Sequence, residues 1–513
     1  MKNCTIKKMF VAASFVVISS FGAFAEWGDL ENPGMLIENS DMSGLEMAIA
    51  SDGSTYVVWT KCMEGYSFSL NAQLLDSQGK KMWGENGIIV DEHKTPTWYS
   101  YWNIVVTPSD ELVISWADAR SEENSGVSSY QAQNPVLYKI DKNGKMLWGD
   151  EGIALDPKKY EFPAQLFQVG ENIYAKCYPC VDSDPTQLIL LDEFGEPAWN
   201  YAKNFSGQII GSEDDDFLAV YASSNGVMAM RYSKDMRQRW KAPALISEKL
   251  YGGYDLNPYI LKSDGQGGMA VCYLTPLGQF AHMPLVAYVT AGGETAFSEE
   301  VANTLDYDHL YPVMNINPET ETIMTIWQLN STPYNCLQGA QMDYFGERQW
   351  GDVGKTIAQK ESPTGYSYGP IAVEPLSDGG WLICYADELG WNNSQLYLAR
   401  YDSEGNAVWS KPIGTPCSVT VPLVYKNGDN VKVLWVEDND YTDENGQDQS
   451  CKNLRGVSVN INSVEGIEGV MSDNSTAQGR EYYSINGIRL NGPTKGINIV
   501  KNADGSVSKI IVK

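Results

Sequence analysis

Residues 74–90 read LLDSQGKKMWGENGIIV: an apolar strand, an Asp-x-x-Gly turn, a tryptophan and a second apolar run. Asp76 suits the start of such a turn because its carboxylate accepts from backbone N–H groups ahead of it, and Gly79 supplies the positive φ that a short hairpin needs. The phrase returns as KIDKNGKMLWGDEGIAL from 139, QMDYFGERQWGDVGKTI from 341 and RYDSEGNAVWSKPIG from 400. Written as DxxGxxxW, it occurs at Asp76/Gly79/Trp83, Asp141/Gly144/Trp148, Asp192/Gly195/Trp199, Asp343/Gly346/Trp350 and Asp402/Gly405/Trp409. Degenerate copies run from Ser233 to Trp240 and from Thr290 to Phe297. The aromatic is expected to cover the neighbouring repeat.

A second marker keeps phase with the first. Alternating strands carry an aromatic at Trp59, Trp116, Tyr178, Tyr221, Tyr273, Trp327, Tyr385 and Trp435. Another strand precedes each, with turns such as SDGS, PSDE, SDGQGG or LSDGG between, so every unit offers four short strands, A to D. Four-stranded units repeated at roughly 40 residues or more predict propeller blades. A long β-sandwich would supply strands and turns but not two markers in register. The chain therefore reads as an all-β, eight-bladed β-propeller, or a seven-bladed one if the short unit at 199–240 is not a blade of its own. The eighth unit ends LRGVSVNINS at 454–463 without a hairpin tryptophan, whereas EWGDLENPGMLIEN at 26–39 matches MWGENGIIV with Trp27 in the aromatic position. The first strand is thus expected to complete the last blade, which removes open sheet edges.

Residues 1–25 carry Lys2, Lys7 and Lys8, then an apolar run, then Ala23 and Ala25 around Phe24, the pattern of a cleaved secretory signal. Cleavage leaves 65 acidic against 34 basic residues, a formal charge of −31. That balance argues against nucleic acid or an anionic membrane surface as partner. No later stretch is apolar for long enough to form a transmembrane segment. Eight cysteines remain, an even number that suits an oxidising compartment without revealing any pairing. The propeller is expected over 26–463 and a small polar linker over 464–481. A compact β tail follows over 482–513, with turn signals at Asn486-Gly487, Gly492-Pro493 and Asp504-Gly505.

The DxxGxxxW turns resemble the DxxTGxxxW turns of quinoprotein-type propeller repeats, one residue shorter. They are more similar still to tandem IDxxGxxxWxxxGxxI repeats of exported Bacteroidetes proteins. The resemblance covers 26–463 and implies the propeller; it does not carry quinone binding. At NGIRL, KGINIV and the final KIIVK, the tail resembles the C-terminal sorting tail of type IX secretion cargo. That resemblance implies the type IX secretion machinery as a partner, with release outside the cell or attachment to the outer-membrane surface.

Catalytic signatures are sparse. His93, His282 and His309 lie in different units and form no HExxH or Cys/His zinc cluster, and there is no GxSxG elbow, Walker loop or dinucleotide fingerprint. Cys177 and Cys180 form a CxxC, but Cys177 precedes Tyr178 just as Cys272 precedes Tyr273 and Cys384 precedes Tyr385, so the repeat marks buried structural thiols. Cys62 and Cys451 fall near the B-to-C connections of the first and last blades, where a bridge could close the ring. The run DNDYTDENGQDQ resembles part of an EF-hand loop at Asp438, Asp440 and Asp443, which makes Ca2+ the one cofactor to consider.

In a propeller the D-to-A and B-to-C connections emerge on one face. The D-to-A segments here include TWYSYW at 97–102, KYEF at 159–162, YGGYDLNPY at 251–259, DYDHLYP at 306–312 and GYSYGP at 365–370, and the B-to-C segments add acids. Rings beside carboxylates are the composition of a glycan platform, with Trp98, Tyr101, Trp102, Tyr254, Tyr311, Tyr368 and Trp391 as contacts and Asp118 and Asp387 beside them. The same rings could instead pack the ends of the inner strands. The leading functional expectation is a non-catalytic binding or adhesion module for a glycan or surface protein. The alternative is a glycoside hydrolase or lyase using two of those carboxylates.

Overall fold

The computed structural model describes residues 27–40, 42–63, 67–93, 102–120, 134–156, 159–180, 184–199, 202–251, 259–277, 281–302, 308–330, 334–361, 367–442, 448–464, 481–484, 489–490, 496–501 and 507–512. A first strand, β1 (Gly34–Ser40), precedes eight units. Blade 1 holds β2 (Met42–Ile49), β3 (Thr55–Met63), β4 (Ser67–Leu75) and β5 (Ile88–Asp91), and blade 2 holds β6 (Asn103–Val106), β7 (Leu112–Asp118), β8 (Asn134–Ile140) and β9 (Ile153–Ala154). Blade 3 has β10 (Tyr160–Val169), β11 (Asn172–Pro179), β12 (Gln187–Leu191) and β13 (Lys203–Asn204), and blade 4 has β14 (Gln208–Gly211), β15 (Phe217–Ser223), β16 (Gly226–Tyr232) and β17 (Ala244–Ser247). Blade 5 comprises β18 (Ile260–Ser263), β19 (Met269–Leu277), β20 (Ala281–Val289) and β21 (Thr295–Glu300), and blade 6 comprises β22 (Asp308–Asn317), β23 (Thr322–Asn330), β24 (Tyr334–Asp343) and β25 (Lys355–Glu361). Blade 7 is β26 (Tyr368–Pro375), β27 (Trp381–Gly390), β28 (Asn393–Tyr401) and β29 (Ala407–Cys417), and blade 8 is β30 (Thr420–Asn427), β31 (Asn430–Thr442) and β32 (Asp448–Asn460).

Each of the first seven sheets pairs its four strands in chain order, whereas the eighth runs β1-β32-β31-β30. The chain's first strand is therefore the outer strand of its last blade. Innermost strands touch in succession, β2 to β6 to β10 to β14 to β18 to β22 to β26 to β30, and β30 meets β2 again. This closes a ring of eight blades, and the short fourth unit is a full blade. The core is divided among the seams: eight apolar clusters each join two neighbouring blades, as where Leu434, Val436 and Leu454 of blade 8 meet Leu45, Val57 and Trp59 of blade 1.

The repeated turn does what its residues dictate. Asp76 Oδ1 accepts from the backbone N–H of Gln78 and Lys80, and Asp141 Oδ1 accepts from those of Asn143 and Lys145. Four turn tryptophans then reach the next blade and donate the indole N–H to the carbonyl just after the residue that opens that blade's turn, whereas the buried indole N–H of Trp199 finds no partner among the described residues. Trp83 bonds Lys142 O at 3.0 Å, Trp148 bonds Glu193 O at 2.9 Å, Trp240 bonds Ala291 O at 2.9 Å and Trp350 bonds Ser403 O at 3.1 Å. Gly144 is required twice over: its φ is 80°, and a Cβ there would meet the Trp83 indole at 3.3 Å. Trp27 makes the same bond across the closure, to Ser77 O at 2.9 Å. The strand that follows, β1, pairs with Lys452 to Gly456, and Gly28 bridges Val457 in parallel. Lys432 of β31 seals this seam by donating to Gly53 O at 2.9 Å and Ser77 O at 2.8 Å, with its ammonium 4.4 Å from the Trp27 ring centre.

Past the propeller, β33 (Glu481–Ser484), β34 (Arg489–Leu490), β35 (Gly496–Lys501) and β36 (Val507–Val512) form a sheet in the order β34-β33-β35-β36. No helix among the described residues is long and apolar enough to cross a membrane.

Candidate functional site: the face of the B-to-C and D-to-A connections

Strand order places the starts of the A strands and the ends of the B strands on one face. Trp98, Tyr101 and Tyr254 lie outside the described residues, so the expected platform is assessed on its other members. Two of those four rings, Tyr368 and Trp102, face inward. Tyr368 is 5 % exposed and packs edge-on against Tyr385, with centroids 6.0 Å apart. Trp102, half-buried, meets Trp116 at 6.4 Å, and Tyr259, buried, meets Tyr273 at 5.5 Å. The pattern is one of register: an aromatic at the start of an inner strand leans on the B-strand aromatic of its own blade. Blade 6 places a histidine there, and Trp327 donates its indole N–H to His309 Nδ1 at 2.8 Å. Nδ1 is then the acceptor, so Nε2 carries the proton, and it meets no hydrogen-bond partner among the described residues. Burial pushes the pKa of His309 down to about 4.

Two rings remain fully outside. Tyr311 is 66 % exposed at a bulge between Leu310 and Val313, with a φ of 50° that a tyrosine rarely adopts. Trp391 is 85 % exposed at the tip of the β27–β28 hairpin, beside Leu389 at 49 % and Asn392 with φ 49°.

Four acids of this face are held by cations. Asp118 and Asp387 occupy one repeat position, each two residues beyond the B-strand aromatic, as in Trp116-Ala117-Asp118 and Tyr385-Ala386-Asp387. Lys360 of blade 6 lies 2.5 Å from Asp387 Oδ1, donates to Ser367 O at 2.9 Å, and sits 4.8 Å from the Tyr368 ring centre. Arg120 forks onto Asp118, with NH2 to Oδ2 at 2.6 Å and Nε to Oδ1 at 3.0 Å. Asp118 is wholly buried, and burial raises its pKa despite Arg120, with Asp91 adding to the rise. Arg455 meets Glu437 at 2.7 Å, and Lys452 binds Asp438, which also accepts from Ser418 Oγ at 3.2 Å.

The acidic run that resembled a calcium loop is strand as far as Thr442. Asp438 stands opposite Lys452 and Asp440 opposite Ser450 in the β31–β32 ladder, and Asp443 and the side chain of Asp440 lie outside the described residues. Cys177, Cys272 and Cys384 are buried free thiols, and burial pushes Cys177 and Cys384 up to about 12. The side chains of Cys62 and Cys451 lie outside the described residues.

Sequence reading passed over one cluster, at the seam of blades 1 and 2. Asp91 ends β5, His93 follows it, and Asp118 ends β7; a ligand atom of each lies within 4.8 Å of the other two. The set is split across a blade boundary, so no local spacing of the kind sought around His93 reveals it.

No family model matches the chain, and no curated protein matches it. Among solved structures it is similar to the polysaccharide lyase Uly1, at 9% identity and a TM-score of 0.41 over 84% of this chain and 92% of that one. An ulvan lyase described as a new polysaccharide lyase family, bound to a sugar, gives 11% identity and a TM-score of 0.40 over 77% and 96%. The β-propeller domain of the Trilobed protease from Pyrococcus furiosus gives 9% and 0.36 over 72% and 97%. Likeness at this level transfers neither substrate nor activity to this chain.

Proposed function

We propose that this protein is an exported propeller that binds a glycan, without catalysing its cleavage, on the face of the B-to-C and D-to-A connections. The observation that carries the reading is Trp391, whose ring is 85 % exposed on a hairpin tip while the aromatics in register positions on that face are packed away. Together with Leu389 beside it, this ring makes an apolar tip on a polar face, and a flat ring suits the apolar face of a sugar. Tyr311, on the adjacent blade, adds a second exposed ring held in a strained conformation. The paired acids favour binding over cleavage. A glycosidase needs one carboxyl protonated and one free, about 5 to 9.5 Å apart, whereas Asp118 and Asp387 stand on blades 2 and 7, each ion-paired with a base of its own.

A glycan-array screen of the purified chain tests this, read together with product release from every glycan bound. Binding without release is expected. Release of reducing ends or of unsaturated sugars would move the protein to the hydrolase or lyase class. Export is part of the same reading, supported by the signal-like start and the sorting-tail likeness. Removing residues 482–513 in a host with type IX machinery should leave the propeller folded but absent from the cell surface; unchanged surface levels would refute the export route.

A further inference from the structure

The seam of blades 1 and 2 differs from its counterpart in one instructive way. Gly87 sits against Trp59 and Gly354 against Trp327, each at the start of a D strand, and six residues beyond them stand His93 and Lys360 in the same repeat position. At the blade 6–7 seam the lysine neutralises Asp387 directly. At the blade 1–2 seam an imidazole replaces the ammonium, and a second acid, Asp91, is added.

We propose that Asp91, His93 and Asp118 bind a divalent transition-metal cation, such as Mn2+ or Zn2+, that ties blade 1 to blade 2. The side chains of Asp91 and Asp118 are 1 % and 0 % exposed, and Asp91 Oδ2 has no hydrogen-bond partner among the described residues. A buried carboxylate oxygen without a donor is costly and calls for a positive group. Asp91, Asp118 and Glu151 gather around the guanidinium of Arg120, an acid-rich setting that suits a divalent cation. Arg120 also acts as the orienting partner, holding Asp118 while donating to Tyr138 OH at 2.7 Å and Glu151 O at 2.5 Å. His93 Nδ1 lies 2.6 Å from Asp91 Oδ1 and 4.0 Å from Asp118 Oδ2, and its Nε2 lies 3.2 Å from Glu151 Oε2. The ring is 37 % exposed, so it can withdraw enough for an ion to enter at ligand distances of about 2.0 to 2.2 Å. One imidazole with carboxylates suits a first-row transition ion better than Ca2+, which takes oxygen ligands.

The test is titration of the tag-free, EDTA-treated full chain with MnCl2, ZnCl2 and CaCl2, followed by calorimetry and melting temperature. One Mn2+ or Zn2+ per chain is expected, with a higher melting temperature on saturation. Asp91→Asn and His93→Ala should each weaken binding at least tenfold, and Asp438→Asn should not. His93 is partly exposed, so His93→Ala decides the matter even if Asp91→Asn fails to fold. Equal binding by wild type and His93→Ala, less than one ion per chain, or a preference for Ca2+ would each overturn the assignment. A glycan-binding result bears on none of these outcomes.

Discussion

His309 shows how one repeat position can be spent differently. Where blades 2, 5 and 7 lean an aromatic on the B-strand ring, blade 6 buries an imidazole whose pKa is pushed down to about 4 by burial. The sign of the linkage follows. Below its ordinary pKa of about 6.5 the unfolded chain takes up a proton that the folded chain refuses until about pH 4, so stability falls as pH drops through that window. The loss is on the order of 3 kcal/mol at the acidic end. Denaturant titrations of the wild type and His309→Phe between pH 4 and 7 should show a steeper acid loss for the wild type. Parallel curves would mean that this imidazole is protonated in the folded state. Tyr368 makes the complementary case: packed on Tyr385, it should cost about 3 to 5 kcal/mol when replaced by Ala, with the loss read as a lower melting temperature.

At the scale of the element, the turn and its tryptophan form one device that links neighbouring blades. Trp148→Phe keeps the ring but loses the bond to Glu193 O, and about 1 kcal/mol of stability with it, whereas Trp148→Ala should cost about 3 to 5 kcal/mol. Equal stability of wild type and Trp148→Ala in urea would show that the contact is incidental. This device was legible in the sequence because everything it needs lies within one hairpin: Asp for the N–H groups, Gly for φ and clearance, Trp for reach. The platform was less legible. Tyr311, Tyr368 and Trp391 look alike as aromatics in connections, yet the first sits on a bulge, the second points down onto Tyr385 and the third rides a hairpin tip. Side-chain direction at a strand end depends on bulges that composition does not encode. The blade 1–2 cluster was hidden for a different reason, since Asp91 and Asp118 come from different blades and meet only when the ring forms.

At the scale of the molecule, the ring is held shut where its two ends meet. Lys432 and Trp27 converge on Ser77 O, so blade 8 and the chain's first strand grip blade 1 together. Lys432→Met keeps the stem and removes two charge-assisted bonds, and it should cost about 1.5 to 3 kcal/mol in denaturant melts. Deleting residues 26–40 should expose the β32 edge and promote aggregation; a soluble deletion variant of unchanged stability would contradict the closure. The closed ring places Tyr311 and Trp391 on one face, and that presentation is what the binding account rests on. Its most direct measurement is the affinity of the purified chain for its best array glycan, beside Trp391→Ala and Tyr311→Ala, with the melting temperature of each. The account predicts binding by the wild type, a loss of tenfold or more in Trp391→Ala, and melting temperatures within about a degree of one another. Undiminished binding by Trp391→Ala, or no glycan bound by the wild type, would contradict it.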